Sequence, residues 1–259
     1  MSRSLGVVIP AYRPAVDALA AYVRGVAAAL DPETIRIELD APDPGVVDRL
    51  ESLPATVATV GERRGKGAAI THGFEHLGTD VLAFADADGS TPADSLGDVV
   101  APVIEGTADL AAGSRRHPDA EVRSHQTYVR RTLGHAFAFL ARRLLSVPLF
   151  DYQCGAKAID REAWRAVRGH LYEPGFAWDL ELLAMAGALG HRIEEVPIAW
   201  EDHPDSTVDT VGTSVALARA LFAVRHRAKL LGDSHLHAAI DTKRGDRVPL
   251  IERHGVGDD

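Results

Sequence analysis

The sequence predicts an α/β domain with a mostly parallel central sheet flanked by helices. In the first half of the chain, short apolar runs alternate with amphipathic stretches, and each apolar run ends abruptly at a Pro, Gly or Asp. Alternating strands and helices favour a parallel sheet with both faces covered. Of the 259 residues, 46% are hydrophobic and only 6% are aromatic, so we expect a substantial core of mainly aliphatic side chains.

The apolar runs predict strands at residues 5–9, 35–39, 57–60, 81–85 and 110–112. A final strand is expected where Val196, Ile198 and Trp200 alternate on one face. Helical periodicity and helix-start residues predict helices at 14–30, 67–77, 94–105, 124–146, 178–189 and 208–231. Residues 233–259 form a polar tail without periodicity, which we expect to contribute little chemistry.

Charge and cysteine content exclude several classes of protein. The net charge of −9 argues against general binding to nucleic-acid backbones, which depends on dense Lys and Arg. The single cysteine, Cys154, cannot form an internal disulfide, and the start of the chain has no signal-peptide pattern. No apolar run reaches the roughly 18 residues of a membrane-spanning helix. We therefore expect a cytoplasmic protein whose membrane contact is peripheral.

Two carboxylates, Asp86 and Asp88, directly follow the predicted strand at 81–85. Open α/β sheets place ligands at the carboxyl ends of their strands. In extended chain, residues two apart project to the same side, so both carboxylates can face one hard cation that also bridges a diphosphate. The spacing therefore predicts a site for Mg²⁺ or Mn²⁺.

Other interpretations of this acidic segment remain open. It could be an acidic turn that caps the next helix, a common role for Asp and Ser. A calcium loop of the EF-hand type fits Asp86, Asp88 and Ser90, but Thr91 and Gly97 occupy the positions that need Gly and Glu. A nucleotidyltransferase would carry a Gly-rich loop with Thr and Arg after the first strand, and this loop is absent.

Seven short motifs follow one another in a fixed order. They are Val8-Ile9-Pro10-Ala11-Tyr12, Arg64-Gly65-Lys66-Gly67-Ala68-Ala69, Phe84-Ala85-Asp86-Ala87-Asp88-Gly89, Gly113-Ser114-Arg115, Asp151-Tyr152-Gln153-Cys154-Gly155-Ala156-Lys157, Phe176-Ala177-Trp178-Asp179-Leu180-Glu181 and Glu195-Val196-Pro197-Ile198-Ala199-Trp200. Each motif alone is weak, but seven in register over residues 5–210 make coincidence improbable. Together they resemble family 2 glycosyltransferases, in particular the dolichyl-phosphate glucosyl- and mannosyltransferase branch.

The resemblance implies a GT-A type fold of one domain over residues 1–232, with a nucleotide-sugar-binding half (1–110) and an acceptor-binding half (111–232). It implies transfer, with inversion at the sugar carbon, of a hexose from a UDP- or GDP-sugar to a polyprenyl (dolichyl) phosphate, in protein N-glycosylation or cell-surface glycan synthesis. The segment from Asp86 to Thr91 looks closer to the glucosyl branch, so UDP-glucose is favoured and GDP-mannose remains possible. The chain departs from the family at Arg13-Pro14, where Asn-Glu is usual, and at Asp40-Ala41-Pro42-Asp43, where a double Asp is usual.

The donor side of the expected site lies in the first half of the chain. Asp86 and Asp88 would hold the metal, with Ser90 at a place where mannosyl relatives carry a Gln ligand, and Asp88 is a catalytic candidate. Lys66 begins a helix, whose free N–H groups and dipole favour anionic ligands, although it could equally be a solvated turn lysine. The remaining donor-binding candidates are Pro10, Tyr12, Asp40 and Ala87. A capping role for Asp40 is equally plausible.

The acceptor side is expected to need cations rather than a base, because a phosphate monoester with a second pKa of about 6 is already largely dianionic at neutral pH. Guanidinium groups bind phosphate oxygens in a bidentate fork. Arg115 and Arg130 fit the family pattern best as catalytic cations, while Gly134 replaces a usual Ser. Further candidates for substrate binding are Arg131, Lys157 and, in a closing loop, Ser206. Arg130 and Arg131 could instead be a solvated helix face.

Two alternative functions remain. A sugar-hydroxyl acceptor would need a carboxylate base, for which Asp179 or Glu181 is the obvious choice, although both also suit the first turn of a helix. The chain could also be a non-catalytic module that binds a nucleotide sugar. A lipid acceptor would require an interfacial helix, and Phe137 and Phe139 beside Arg142 and Arg143 predict one, or else a core helix with a basic rim.

Overall fold

The computed structural model describes residues 3–122, 128–201, 210–232 and 248–253. Within these ranges the strands are β1 (Leu5–Tyr12), β2 (Thr34–Asp40), β3 (Thr56–Val60), β4 (Val81–Ala85), β5 (Leu110–Ser114), β6 (Glu121–Val122), β7 (Ala156–Asp160), β8 (Ile193–Pro197) and β9 (Ala199–Trp200). The helices are α1 (Val16–Leu30), α2 (Val46–Leu50), α3 (Lys66–His76), α4 (Ala93–Ile104), α5 (Tyr128–Leu144), α6 (Arg161–Val167), α7 (Trp178–Ala188) and α8 (Thr210–Leu231).

A seven-stranded sheet forms the centre, in the order β3-β2-β1-β4-β7-β5-β8. Strands β1 to β4 pair in parallel, and so do β5 and β8. The strand β7 runs antiparallel between β4 and β5 and joins the two parallel parts. The expected α/β fold with a mostly parallel sheet is therefore confirmed, with one antiparallel strand that the alternation of elements did not predict.

Two hydrophobic cores lie on the two faces of this sheet. Helices α1 and α4 cover one face, where Val7, Ile9 and Val99 are completely buried. On the other face, α3 packs on β1 and β2, and α7 packs on α3, α6 and α8, with Val8, Phe84 and Trp178 completely buried. Successive residues of β1 thus belong to opposite cores, which explains why this strand is a continuous apolar run rather than an alternating one.

Several element boundaries differ from the expected ones. Strand β1 does not end at Pro10 but continues to Tyr12, which pairs with Asp40 of β2. Its pairing with β4 stops at Val8, so Pro10, which has no N–H group, lies where β1 has a neighbour on one side only. The expected final strand is split, because Val196 belongs to β8 on the central sheet, whereas Trp200 belongs to β9, which pairs with β6.

The helices α2 and α6 were not expected, and part of the polar tail packs against the rest of the domain. Leu250 in the tail is 7% exposed, and its backbone N–H donates to the carbonyl of Leu171 at 2.8 Å. The division of the chain into a domain over residues 1–232 and a polar tail over 233–259 stays a prediction. Across the described ranges, no helix has the length and apolar character needed to cross a membrane.

Candidate active site

Asp86 and Asp88 lie immediately after β4, at the carboxyl edge of the sheet, as expected from the sequence. Asp88 is exposed, and its Oδ1 accepts the backbone N–H of Ser90 at 2.9 Å, so Ser90 supports the turn through its main chain. The Asp86 side chain retains 39% exposure. Burial raises the pKa of Asp86, the Lys66 ammonium opposes that rise, and the Asp88 carboxylate adds to it.

The position of Asp86 depends on Gly155, at the start of β7. The Asp86 backbone N–H donates to the carbonyl of Gly155 at 2.9 Å. A Cβ atom on Gly155 would lie 1.8 Å from Oδ2 of Asp86, so only glycine leaves space for this carboxylate. The glycine that directly precedes the antiparallel strand β7 therefore lies against the Asp86 carboxylate. No local sequence pattern predicts this contact.

A tyrosine hydroxyl lies near the same two carboxylates. Tyr22 on α1 packs against Gly89, whose φ of 69° lies in the left-handed region. Burial raises the pKa of the Tyr22 hydroxyl well above its usual range, and the carboxylates of Asp86 and Asp88 raise it further. This hydroxyl is buried and has no hydrogen-bond partner within the described part of the chain. Tyr22 is therefore a residue of the site that the sequence motifs did not single out.

Lys66 at the start of α3 bridges two elements of the site. Its ammonium lies 2.9 Å from Oδ1 of Asp86 and 2.9 Å from Oδ2 of Asp179. Burial alone would lower the pKa of Lys66, but Asp179 and Asp86 raise it above its usual range. The close packing of Gly67, where a Cβ would lie 2.4 Å from Cβ of Trp178, brings the start of α3 against α7. Lys66 is thus a buried cation beside the acidic pair rather than a solvated turn lysine.

Asp179 is enclosed between two lysines. Besides Lys66, the ammonium of Lys157 donates to Oδ1 of Asp179 at 2.7 Å and to the carbonyl of Cys154 at 2.7 Å. Burial would raise the pKa of Asp179, but Lys157 and Lys66 hold it below its usual range. Lys157 is itself only 1% exposed. Lys157 on β7 therefore pairs with Asp179, and its expected contact with a substrate phosphate stays a prediction.

Three of the expected donor-binding residues, Pro10, Tyr12 and Asp40, lie near the ends of β1 and β2. Asp40 is 2% exposed, and its Oδ2 accepts the backbone N–H groups of Arg64 and Gly65 at 2.8 and 3.1 Å. Its Oδ1 accepts Nε of Arg64 at 2.8 Å. Asp40 therefore holds the loop before α3, and a direct contact with a nucleotide stays a prediction.

Tyr12 is 37% exposed, and the guanidinium of Arg63 lies 4.3 Å from its ring centre.

Arg115, which follows β5, forms a bidentate ion pair with Asp151. Its Nε and Nη2 lie 2.7 and 3.1 Å from the two carboxylate oxygens of Asp151. Burial would raise the pKa of Asp151, but Arg115 holds it well below its usual range. The guanidinium also lies 5.5 Å from the ring centre of Trp200. The loop of Asp151 is fixed in turn by Glu195 on β8, which accepts the backbone N–H groups of Phe150 and Asp151 at 2.8 Å each.

Glu181 has a structural role in this arrangement. It is completely buried, and its Oε2 accepts the backbone N–H groups of Tyr172 and Glu173 at 2.8 Å. Its Oε1 lies 2.5 Å from Nη2 of Arg227 on α8. Glu181 therefore ties α7 to α8 and to the preceding loop.

Some expected site residues cannot be placed in full. Arg130 and Arg131 lie on α5, but their side chains are outside the described residues, and Ser206 lies outside them entirely. Pro10 lies near the end of β1 and Ala87 just after β4, on the same edge of the sheet as Asp86.

The acidic pair suits a hard divalent cation. Within the described ranges, no group of three His, Cys, Asp or Glu side chains could hold a metal ion on its own. Mg²⁺ is commonly bound through one or two carboxylates together with substrate phosphates. Asp86 and Asp88 supply two carboxylates. The donor set therefore fits a cation that is shared with a diphosphate.

The acidic pair after β4 lies at the carboxyl edge of the sheet, where open α/β folds bind their ligands. Residues 6–168 match the family model described as glycosyl transferase family 2, and the chain belongs to this family. Its structure resembles glucosyl-3-phosphoglycerate synthase from Mycobacterium tuberculosis, crystallised with Mn²⁺, UDP and phosphoglyceric acid, with a TM-score of 0.68 and 18% identity over 86% of this chain and 78% of that one. The fold is therefore of the GT-A type.

Several relatives have a higher sequence identity to this chain than this structural neighbour has. Glycosyltransferase AglD of Haloferax volcanii is 34% identical over 174 residues, which are 66% of this chain and 28% of AglD. The dolichyl-phosphate beta-glucosyltransferases of Saccharomyces cerevisiae and Mus musculus are 31% and 32% identical, each over 66% of this chain and 54% of the relative. The chain thus spans about half the length of these two relatives and less of AglD.

Proposed function

We propose that this protein transfers a hexose, with glucose favoured, from a UDP-sugar to a polyprenyl phosphate such as dolichyl phosphate, with inversion at the sugar carbon. The arrangement of charge carries the proposal. An acidic pair suited to a cation and a diphosphate lies at the end of β4, while an arginine follows β5 on the acceptor side. The names of the yeast and mouse relatives support the acceptor and the sugar.

The reaction requires no proton transfer. An oxygen of the acceptor phosphate forms a bond to the sugar carbon while the bond from that carbon to the donor diphosphate breaks, and the electron pair leaves with the diphosphate. A phosphate monoester with a second pKa of about 6 is already dianionic at neutral pH, so no base is needed to activate it. Attack from the face opposite the leaving group inverts the configuration.

The chain's residues bind and orient the two phosphorylated substrates. Asp86 and Asp88 would hold Mg²⁺ or Mn²⁺, which supplies positive charge to the leaving diphosphate. Lys66 keeps Asp86 at the edge of the sheet, 2.9 Å from its ammonium. Arg115, fixed by Asp151 through Nε and Nη2, presents its remaining N–H groups to the acceptor phosphate.

Asp179 makes the sugar-hydroxyl alternative less favourable. A base for a sugar hydroxyl should have a raised pKa, whereas Lys157 and Lys66 hold the pKa of Asp179 below its usual range. The side chain is also only 2% exposed. Both facts support a role for Asp179 in positioning Lys66.

A lipid acceptor requires contact with a membrane surface, and two described helices offer suitable side chains. Phe139 on α5 is 62% exposed and Phe222 on α8 is 59% exposed, and these helices pack against each other. The guanidinium of Arg143 lies 5.2 Å from the ring centre of Phe139. An exposed aromatic ring beside a cation suits the interface of an anionic bilayer, so we propose peripheral contact through α5 and α8. The cytoplasmic face stays a prediction.

One assay tests the proposed reaction. The purified protein is incubated with Mg²⁺ or Mn²⁺, with UDP-glucose or GDP-mannose, and with dolichyl or undecaprenyl phosphate, and the lipid product is identified by mass. A hexosyl phosphoryl lipid formed from UDP-glucose supports the proposal. Binding of UDP without any product would instead support a non-catalytic module that binds nucleotide sugars.

A further inference from the structure

Arg116, the residue after Arg115, fills a space on α5 that a glycine leaves open. A Cβ atom at Gly134 would lie 1.9 Å from Nη2, 2.8 Å from Cζ and 3.0 Å from Nη1 of Arg116. No other residue could stand at this position without displacing the guanidinium. Glycine inside a helix lowers stability relative to alanine. The space that the Arg116 guanidinium needs explains why glycine is present at this position.

One nitrogen of the Arg116 guanidinium, Nη1, is buried and has no hydrogen-bond partner among the residues that the structure describes. Asp151, which interacts with Arg116 electrostatically, already accepts Nε and Nη2 of Arg115 at 2.7 and 3.1 Å. One carboxylate, that of Asp151, therefore faces two guanidinium groups. A buried donor without a partner is costly unless a ligand supplies the acceptor.

We infer that Arg116 binds the phosphate of the acceptor and that Gly134 is required to seat it, so that this pair selects a phosphate monoester over an uncharged hydroxyl acceptor. The inference rests on the proposed function. Arg115 is oriented by Asp151, whereas Arg116 is held by its packing against α5 and keeps its Nη1 free for an oxyanion. Two neighbouring guanidinium groups can bind different oxygens of one phosphate.

The test compares Arg116→Gln, Gly134→Ala and the double variant in transfer from UDP-glucose to a short-chain polyprenyl phosphate. Each single variant should raise the KM for the lipid phosphate about 10- to 100-fold, the range expected for a lost hydrogen bond to a charged group, without changing the affinity for UDP measured by calorimetry. The double variant should be no worse than the worse single variant, because the methyl group introduced by Gly134→Ala acts only by displacing Arg116. Arg165→Gln, at an exposed position on α6, is the matched control.

The outcomes separate this inference from the proposed function. An unchanged KM for the lipid phosphate in folded Arg116→Gln overturns the inference alone, as does a double variant whose effects simply add. A wild-type protein that forms no lipid product overturns the proposed function and the inference with it. If Arg116→Gln fails to fold, Gly134→Ala alone decides, because alanine favours the helix and a loss of acceptor affinity then reports on Arg116.

Discussion

The carboxylate of Asp179 lies 2.9 Å from the ammonium of Lys66 and is 2% exposed at its side chain. Asp179→Asn should lower the free energy of unfolding by about 3 kcal/mol, because it leaves the buried ammonium of Lys157 without a carboxylate and leaves Lys66 with Asp86 alone. In the protein that remains folded, turnover should fall less than about tenfold, since no base is lost. Urea denaturation and steady-state kinetics measure the two quantities.

A catalytic base would behave differently in the same variant. Its removal typically costs about 100- to 10,000-fold in rate. A folded Asp179→Asn protein with a loss of that size would support the sugar-hydroxyl alternative, and the proposed mechanism would be wrong.

Asp88→Asn should reduce turnover at least about 100-fold at saturating Mn²⁺, because the site loses one of its two carboxylate ligands. The midpoint of thermal unfolding should hardly change, since Asp88 is exposed and asparagine can still accept the Ser90 N–H through its Oδ1. Asp94→Asn, at an exposed position on α4, is the matched control and should retain activity. Full activity of the Asp88 variant in the presence of a chelator would contradict a metal site at this position.

Gly155→Ala should weaken binding of Mn²⁺ in the presence of UDP by about tenfold or more, because the added Cβ would lie 1.8 Å from Oδ2 of Asp86 and must displace that carboxylate. Calorimetric titration with Mn²⁺ measures the effect. Gly169→Ala is the control, since no heavy atom lies within 4 Å of a Cβ at that position. Equal affinities in the two variants would show that Asp86 does not bind the cation.

Asp151→Asn should make stability less dependent on pH. Arg115 holds the pKa of Asp151 below its usual value near 3.8, so this carboxylate contributes stability that is fully present above about pH 4 and is lost as pH falls through the lower pKa of the folded protein. Urea denaturation between pH 3 and about pH 7 should therefore show the wild type losing more stability towards acid than the variant. Parallel pH curves would mean that the ion pair adds nothing to acid stability.

Phe139→Glu should reduce binding to vesicles that contain anionic lipid, and it should raise the KM for a lipid acceptor embedded in them. The ring is 62% exposed, so the substitution should not unfold the protein. Phe137 packs against the core, and Phe137→Glu would therefore test folding more than membrane contact. Unaltered vesicle binding by Phe139→Glu would exclude this part of α5 as the contact.

The sequence was sufficient for the parts of the fold that depend on local pattern. Strands β1 and β4 are apolar runs, β2 alternates apolar with charged residues, and α1 and α4 carry apolar residues at helical spacing. Strand β7 could not be predicted in this way. Its residues, Ala156 to Asp160, include Ala and Lys, which are depleted in strands, and its pairing with β4 and β5 is set by tertiary structure. A signal for α6 was present, since Asp160 accepts the backbone N–H of Ala163 at 2.7 Å as an N-cap.

The acidic pair was predicted because strand ends and residue spacing are local features. The supporting contacts join residues far apart in sequence, and no local pattern contains them. Lys157 reaches Asp179, 22 residues later, and Arg115 reaches Asp151, 36 residues later. Lys157 was a candidate for contact with a substrate phosphate through the family resemblance, and β7 carries its side chain into the interior beside Asp179. Arg116 was not singled out, because the space that its guanidinium occupies is left by a glycine on α5, Gly134.

The most direct measurement compares two acceptors that differ only in the phosphate. Polyprenyl phosphate and the corresponding polyprenol are each incubated with UDP-glucose and Mn²⁺, and the glucosylated lipid is quantified by mass. If the acceptor atom is a phosphate oxygen held by arginines, product forms with the phosphate and not with the alcohol. Glucosylated polyprenol formed at a comparable rate would show that a hydroxyl is activated, and the mechanism without a base would be wrong.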